Sequence, residues 1–236
     1  MDTPQCWKDV ESALNAGIDR LILFGPPGTG KTFAGLNYGN VASGAWRLIC
    51  TDDMTNGDVQ GHYIPNAQGS WSFKDGAAIR AWNGDGQTGG RLVIDEIDKA
   101  GGDVFATLLA MTDSPESAKW DHPEKGTVRP RDGFSVVMTT NIEHMEELPE
   151  ALKDRFPVAI RINEPHPNAL AKLSGDLRPY ARRMADAGER RISLRTFFAF
   201  DTLRSSLGDA EAARLILGPD KAQAFLDAIA INAVAQ

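Results

Sequence analysis

Five short apolar runs rich in β-branched residues punctuate the first two-thirds of the chain: Leu21-Ile22-Leu23-Phe24, Trp46-Arg47-Leu48-Ile49-Cys50, Leu92-Val93-Ile94-Asp95, Phe134-Ser135-Val136-Val137-Met138-Thr139 and Val158-Ala159-Ile160-Arg161-Ile162. Such runs, alternating with helix-like stretches, predict an α/β fold in which one five-stranded parallel sheet is covered by helices. Helical spacing runs from about Trp7 to Ala16, after Gly30, from Asp75 to Trp82, from Asp103 to Met111, and briefly before Phe156. Asp75 and Asp103 are the expected N-caps. After Pro165 no strand-like run follows, and Ala, Leu and Arg dominate segments that read as helices broken at Gly175, Gly188 and Gly208. Pro165-His166-Pro167 reads as a hinge. The expected division is an α/β part over residues 1–165 and a small helical part over residues 166–236.

Composition fits this pattern and removes other classes. The 236 residues are 42% hydrophobic and 24% charged, near globular averages, which excludes a disordered, collagen-like or coiled-coil chain. Lys and Arg number 25 against 32 Asp and Glu, a formal charge of −7. An acidic balance argues against a protein whose main task is gripping a phosphate backbone. The charge is uneven. Residues 168–236 carry 10 basic and 8 acidic side chains, and residues 1–167 carry 15 and 24. Cys6 and Cys50 form no metal-ligand spacing. No apolar run approaches the roughly 20 residues that span a bilayer. The amino terminus lacks a basic segment followed by an apolar core, so the expected home is cytoplasmic.

Gly25-Pro26-Pro27-Gly28-Thr29-Gly30-Lys31-Thr32 fits G-x-x-x-x-G-K-[ST] and lies between a predicted strand and a predicted helix, the context that a phosphate-binding loop requires. Glycines let successive backbone N–H groups face phosphates, Lys31 reaches the β- and γ-phosphates, and Thr32 offers a hydroxyl to Mg²⁺. Leu92-Val93-Ile94-Asp95-Glu96-Ile97-Asp98 is an apolar strand ending in carboxylates. Adjacent strand residues point in opposite directions, so Asp95 and Glu96 divide the work. Asp95 is placed to hold Mg²⁺ through water, and Glu96 to polarise an attacking water. Asp98 fits a helix cap better. A further strand ends in Thr139-Thr140-Asn141, and a polar side chain at the carboxyl end of such a strand can reach the ligand.

The order Gly-Pro-Pro-Gly-Thr-Gly-Lys-Thr, Leu-Val-Ile-Asp-Glu-Ile-Asp-Lys-Ala, Thr-Thr-Asn and Leu-Pro-Glu-Ala-Leu-Lys-Asp-Arg-Phe resembles an AAA+ ATPase. Within that superfamily the chain looks most like the MoxR and dynein-related branch, and Gly61-His62-Tyr63 through Trp71 to Ala81 is similar to that branch's insertion and following helix. The resemblance runs from about Ser12 to Phe198. It implies a P-loop sheet of five parallel strands, a helical lid after Pro165, ATP between them, and a ring, commonly a hexamer. By position, Arg155 matches the arginine finger and Arg195 the lid's sensor arginine. Arg178, Arg182, Arg183, Arg190 and Arg191 read as solvated or subunit-facing surface.

Two insertions stand apart. Residues 54–73 hold Tyr63 and Trp71, and residues 113–133 hold Trp120, with a β-hairpin expected in the second. Aromatics there serve either as pore or partner contacts or as anchors of the loops on the core. The resulting expectation is an Mg²⁺-dependent, ring-forming ATPase that remodels or activates a partner protein, with a von Willebrand A-domain partner implied by the resemblance alone. A nucleic-acid motor or loader is the competing class, weakened by the acidic core. Ile142-Glu143-His144 also departs from the Asn-Thr-Ala-Asp run of the GTP-using restriction relatives, which favours ATP. A nucleotide-gated scaffold needs no hydrolytic set, and a small-molecule kinase is disfavoured by the lid and by Asp154-Arg155-Phe156.

Overall fold

The computed structural model describes residues 3–67, 69–185, 187 and 192–234; Gly188, Arg190 and Arg191 lie outside them. Its strands are β1 (Arg20–Phe24), β2 (Ala45–Ile49), β3 (Gly61–Pro65), β4 (Trp71–Asp75), β5 (Arg91–Asp95), β6 (Trp120–His122), β7 (Gly126–Val128), β8 (Ser135–Thr139) and β9 (Val158–Arg161). Contacts separate two compact units, one holding Asp9–Gly25 and Lys31–Arg161, the other Met1–Lys8, Pro26–Gly30 and Ile162–Gln236. The division is therefore not a single cut in the sequence.

In the larger unit the five predicted runs form one parallel sheet in the order β2-β5-β8-β1-β9. The two strands that end in Asp95 and Thr139 are neighbours near its middle. β1 and β5 are buried at every position, which is why both read as continuous apolar runs instead of alternating ones. One face of the sheet joins Trp82, Leu92, Ile94, Leu108, Val136, Met138 and Phe156 in a single core. On the other face the helix Lys31–Asn37 crosses β5 and β8 closely. A Cβ on Gly35 would stand 3.1 Å from Val93 Cγ1 and 3.2 Å from Val137 Cγ1. Buried Arg91 holds the far end of this helix, donating to the carbonyls of Gly35, Tyr38 and Asn40.

The expected N-caps shift by one or two residues. Gly76 caps the helix Ala77–Asn83, while Asp75 ends β4 and is drawn into ion pairs with His122 and Lys125. A side chain could not stand at Gly76, where a Cβ would lie 2.3 Å from the Val59 carbonyl oxygen. Gly101 likewise caps Gly102–Met111, leaving Asp103 in the first turn, where its charge still suits the helix dipole.

Both insertions fold as antiparallel hairpins, β3 with β4 and β6 with β7. The second was expected. The two are joined: His122 Nε2 donates to Asp75 Oδ1 at 2.8 Å, Lys125 Nζ lies 2.6 Å from Asp75 Oδ2, and the Phe73 N–H donates to Glu124 at 3.1 Å. Phe73 packs on Trp120 and His122, with Tyr63 at its edge. Trp120 is thus an anchor, whereas Trp71 is 66% exposed and Tyr63 47%.

The smaller unit is helical: Pro167–Leu170, Arg178–Met184, Leu194–Leu207, Asp209–Leu217 and Pro219–Val234. Tyr180, Phe197, Phe200 and Phe225 form its aromatic centre, and Arg204 grips Asp176 through both terminal nitrogens at 2.6 and 2.8 Å. Trp7, almost wholly buried, donates its indole N–H to the Glu164 carbonyl at 2.9 Å. Among the described residues, no helix is long and apolar enough to cross a membrane.

Candidate nucleotide-hydrolysis site

The phosphate loop takes the backbone path its glycines predict. Gly25, Gly28 and Gly30 all sit at positive φ, which side-chain-bearing residues rarely adopt. Within the smaller unit, Thr29 fastens the loop by donating from Oγ1 to the Pro26 carbonyl at 3.1 Å. Gly28 there approaches the start of the helix Leu194–Leu207, within 3.6 Å of Ser193 Cβ when measured from a Cβ built on the glycine.

In the larger unit, Lys31 opens the helix after the loop and is buried. Its ammonium donates to the Gly25 carbonyl at 2.7 Å and to Asn141 Oδ1 at 3.1 Å. The following residue, Thr32, donates from Oγ1 to Asp95 Oδ1 at 2.7 Å.

Because β5 and β8 run parallel and adjacent, the polar residues that follow their apolar cores meet one for one. Thr139 donates to Asp95, Thr140 to Asp98 at 2.6 Å, and Asn141 Nδ2 to Glu96 Oε1 at 3.4 Å. Strand alternation separates the carboxylates as expected, but a turn does the aiming. Glu96 has φ 58° and ψ 47°, the one non-glycine residue at positive φ among those described. That left-handed step directs its side chain toward Asn141 and Lys99.

Asp95 has a third side-chain partner that the sequence reading missed. Arg47 donates from Nε to Asp95 Oδ2 at 3.1 Å and from Nη2 to the same oxygen. Burial works to raise the Asp95 carboxyl, but the hydrogen bonds from Thr139, Arg47 and Thr32, with the Arg47 charge, outweigh it and hold the group below the ordinary carboxylate range. The signal lay in β2, where a lone cation interrupts an apolar strand. Cys50, close by, is pushed up to about 12 by burial and by the charges of Asp95, Asp98 and Glu96, so it is an unreactive thiol.

Arg155, in the same unit, makes no hydrogen bond to this network among the described residues. Arg155 ends the helix Glu150–Arg155, donates to the Ala151 carbonyl at 3.2 Å and lies 3.6 Å from Asp113. Its Nε is buried with no hydrogen-bond partner among the described residues. Arg195 is exposed in the first turn of Leu194–Leu207, whose cap Ser193 accepts from the Thr196 N–H, and it has no ion pair among the described residues.

A hydroxyl and a carboxylate converging at 2.7 Å supply the hard oxygen donors that Mg²⁺ takes, so Thr32 and Asp95 fit that ion. A glycine-rich loop after β1 that leads into Lys31 and Thr32, with Thr32 bonded to the carboxylate that ends β5, defines a P-loop nucleotide-binding protein. Residues 20–156 match the family model for the AAA domain, dynein-related subfamily, and the chain belongs to that family; it is an ATPase. Among solved structures it is similar to a candidate ATPase from Cytophaga hutchinsonii ATCC 33406, at 19% identity over 97% of this chain and 68% of that one, with a TM-score of 0.51. It is also similar to NtrX from Brucella abortus in complex with ATP, at 14% identity over 96% of this chain and 60% of that one, with a TM-score of 0.55. These likenesses speak for the fold. No curated protein matches the chain.

Proposed function

We propose that this chain is a MoxR-like motor that hydrolyses ATP in a ring and spends the change in conformation on a partner protein. The observation that carries the reading is the contrast between a hydrolytic set already linked within one chain and an arginine held outside it. Lys31, Thr32, Asp95, Glu96 and Asn141 are joined by hydrogen bonds. Arg155, with its unpartnered buried Nε, is not joined to them. It is the side chain we assign to a neighbouring subunit's ATP.

In this reading Gly25 to Thr32 cradle the phosphates, with the backbone of Pro26, Pro27, Gly28, Thr29 and Gly30 facing them and Lys31 turning its ammonium from Gly25 and Asn141 to the β- and γ-oxygens. Thr32 directly and Asp95 through water would hold Mg²⁺, which when bound neutralises phosphate charge. Glu96 takes a proton from the attacking water, whose oxygen bonds to the γ-phosphorus as the bond to the bridging oxygen breaks, giving ADP and phosphate. Asn141 orients that water. Arg195 senses the γ-phosphate, and the helical part from residue 166 acts as the lid.

Glu96→Gln is expected to keep ATP affinity, lose turnover, and trap the assembly, whose mass and bound client are read by affinity capture and mass measurement in ATP. Arg155→Ala is expected to lose turnover with nucleotide affinity mostly intact. Mixing the two variants tests the ring. Recovery of turnover places the finger in trans, and normal turnover in either variant alone overturns its assignment.

A further inference from the structure

The two oxygens of Asp95 are used unequally. Oδ1 accepts from Thr32 at 2.7 Å and from Thr139, whereas Oδ2, among the described residues, is held by Arg47 alone, through Nε at 3.1 Å and through Nη2. The two partners differ in freedom as well. The Asp95 side chain is 7% exposed, and that of Arg47 43%. Thr32 and Thr139 sit on a packed helix and a central strand, while β2 pairs only with β5 and is the edge of its sheet. Arg47 also lines an open cavity of about 530 Å³ whose wall carries Asp53 and Asp58, so a displaced guanidinium has room on an acidic wall.

A buried carboxylate is costly without a compensating cation. Asp95 has one within the chain, in Arg47. We propose that Arg47 is a counter-cation that shares Asp95 with the divalent metal and its water shell, so that metal loading loosens the Arg47 hold on Oδ2 and Arg47 sets the metal affinity of the site. The inference rests on the reading that Thr32 and Asp95 hold the metal. A guanidinium and a divalent ion repel one another at a shared carboxylate, so each weakens the hold of the other. Arg47 is thereby a positioning residue for Asp95 with a regulatory consequence: it tunes how readily the site takes the metal brought in with nucleotide.

The test is Mn²⁺ binding to the full chain in saturating ADP, followed by the electron paramagnetic resonance of the free ion, in the unsubstituted protein and in Arg47→Gln, Arg47→Lys and Thr32→Ala. Arg47→Gln is expected to bind Mn²⁺ more tightly, by roughly three- to tenfold for the loss of one charge-assisted competitor. Arg47→Lys, a point charge without the planar fork, falls between. In metal chelator without nucleotide, the thermal midpoint of Arg47→Gln drops below that of the unsubstituted protein, and the gap narrows when Mn²⁺ and ADP are added, a pattern that a merely structural ion pair does not give. Unchanged or weaker Mn²⁺ binding in both Arg47 variants, with Thr32→Ala weakened, overturns the role of Arg47 and leaves the metal site standing. Unchanged binding in Thr32→Ala overturns both.

Discussion

At the carboxyl ends of β5 and β8, polar side chains are mostly withdrawn from solvent and paired with one another, whereas the hairpins β3–β4 and β6–β7 leave Tyr63 about half and Trp71 about two-thirds in solvent and meet in a clasp at Asp75 and Phe73. The difference follows from the cost of burial. A buried donor or acceptor without a partner loses about 1–3 kcal/mol, so the sheet's polar ends must interlock, and each residue there has one workable position. The hairpins are two-stranded and marginal by themselves. They rest on an aromatic contact, Phe73 on Trp120 and His122, and hold none of the residues joined in that polar network. Chemistry is thus assigned to the part that cannot vary, and surface aromatics to the part that can.

Substitutions can break this contrast or sharpen it. The largest effect is expected for Lys31→Ala, which strips the cation from the Gly25 carbonyl and Asn141 and should weaken nucleotide binding by about two orders of magnitude, measured by calorimetry with ADP. A smaller loss, about 1–3 kcal/mol in urea, is expected for Gly35→Ala, because the added methyl presses on Val93 and Val137 and lifts the helix that starts at Lys31. For His122→Ala the clasp loses its buried member, at a cost of about 1–3 kcal/mol, and Trp120 emission should shift toward the solvated value while ADP affinity holds. Trp71→Ala should change stability by no more than about 0.5 kcal/mol, and a large loss there would show that the exposed hairpin is part of the core.

Acid should act on both regions, and in the same sense. Burial works to raise the Asp75 carboxyl, but the hydrogen bonds from Lys125 and His122 and their charges hold it below the ordinary range, as Asp95 is held. A carboxylate depressed in the folded state contributes stability above its unfolded value and loses it as pH falls through the folded one. Unfolding free energy measured from neutral pH down into the acid range should therefore fall, and Arg47→Gln should flatten the part due to Asp95.

Local patterns explain how much could be read in advance. The loop, the strand ending in Asp95 and Glu96, and the Thr139-Thr140-Asn141 run each lie within a few consecutive residues, so spacing alone carries them. Asp75 misled as an N-cap because its real partners are 47 and 50 residues away, and only the close passage of Val59 makes Gly76 the residue that fits. Arg47 and Asp95 are 48 positions apart and meet because β2 lies beside β5.

The sequence by itself determined the five strands, the phosphate loop and the carboxylates that end β5, since hydrophobic period and backbone preference act over short stretches. Tertiary structure alone decided which polar residue meets which: Thr139 with Asp95, Thr140 with Asp98, Asn141 with both Lys31 and Glu96, Arg47 on the remaining oxygen. Strand order and register fix those pairs, and neither is written in the spacing of any one segment.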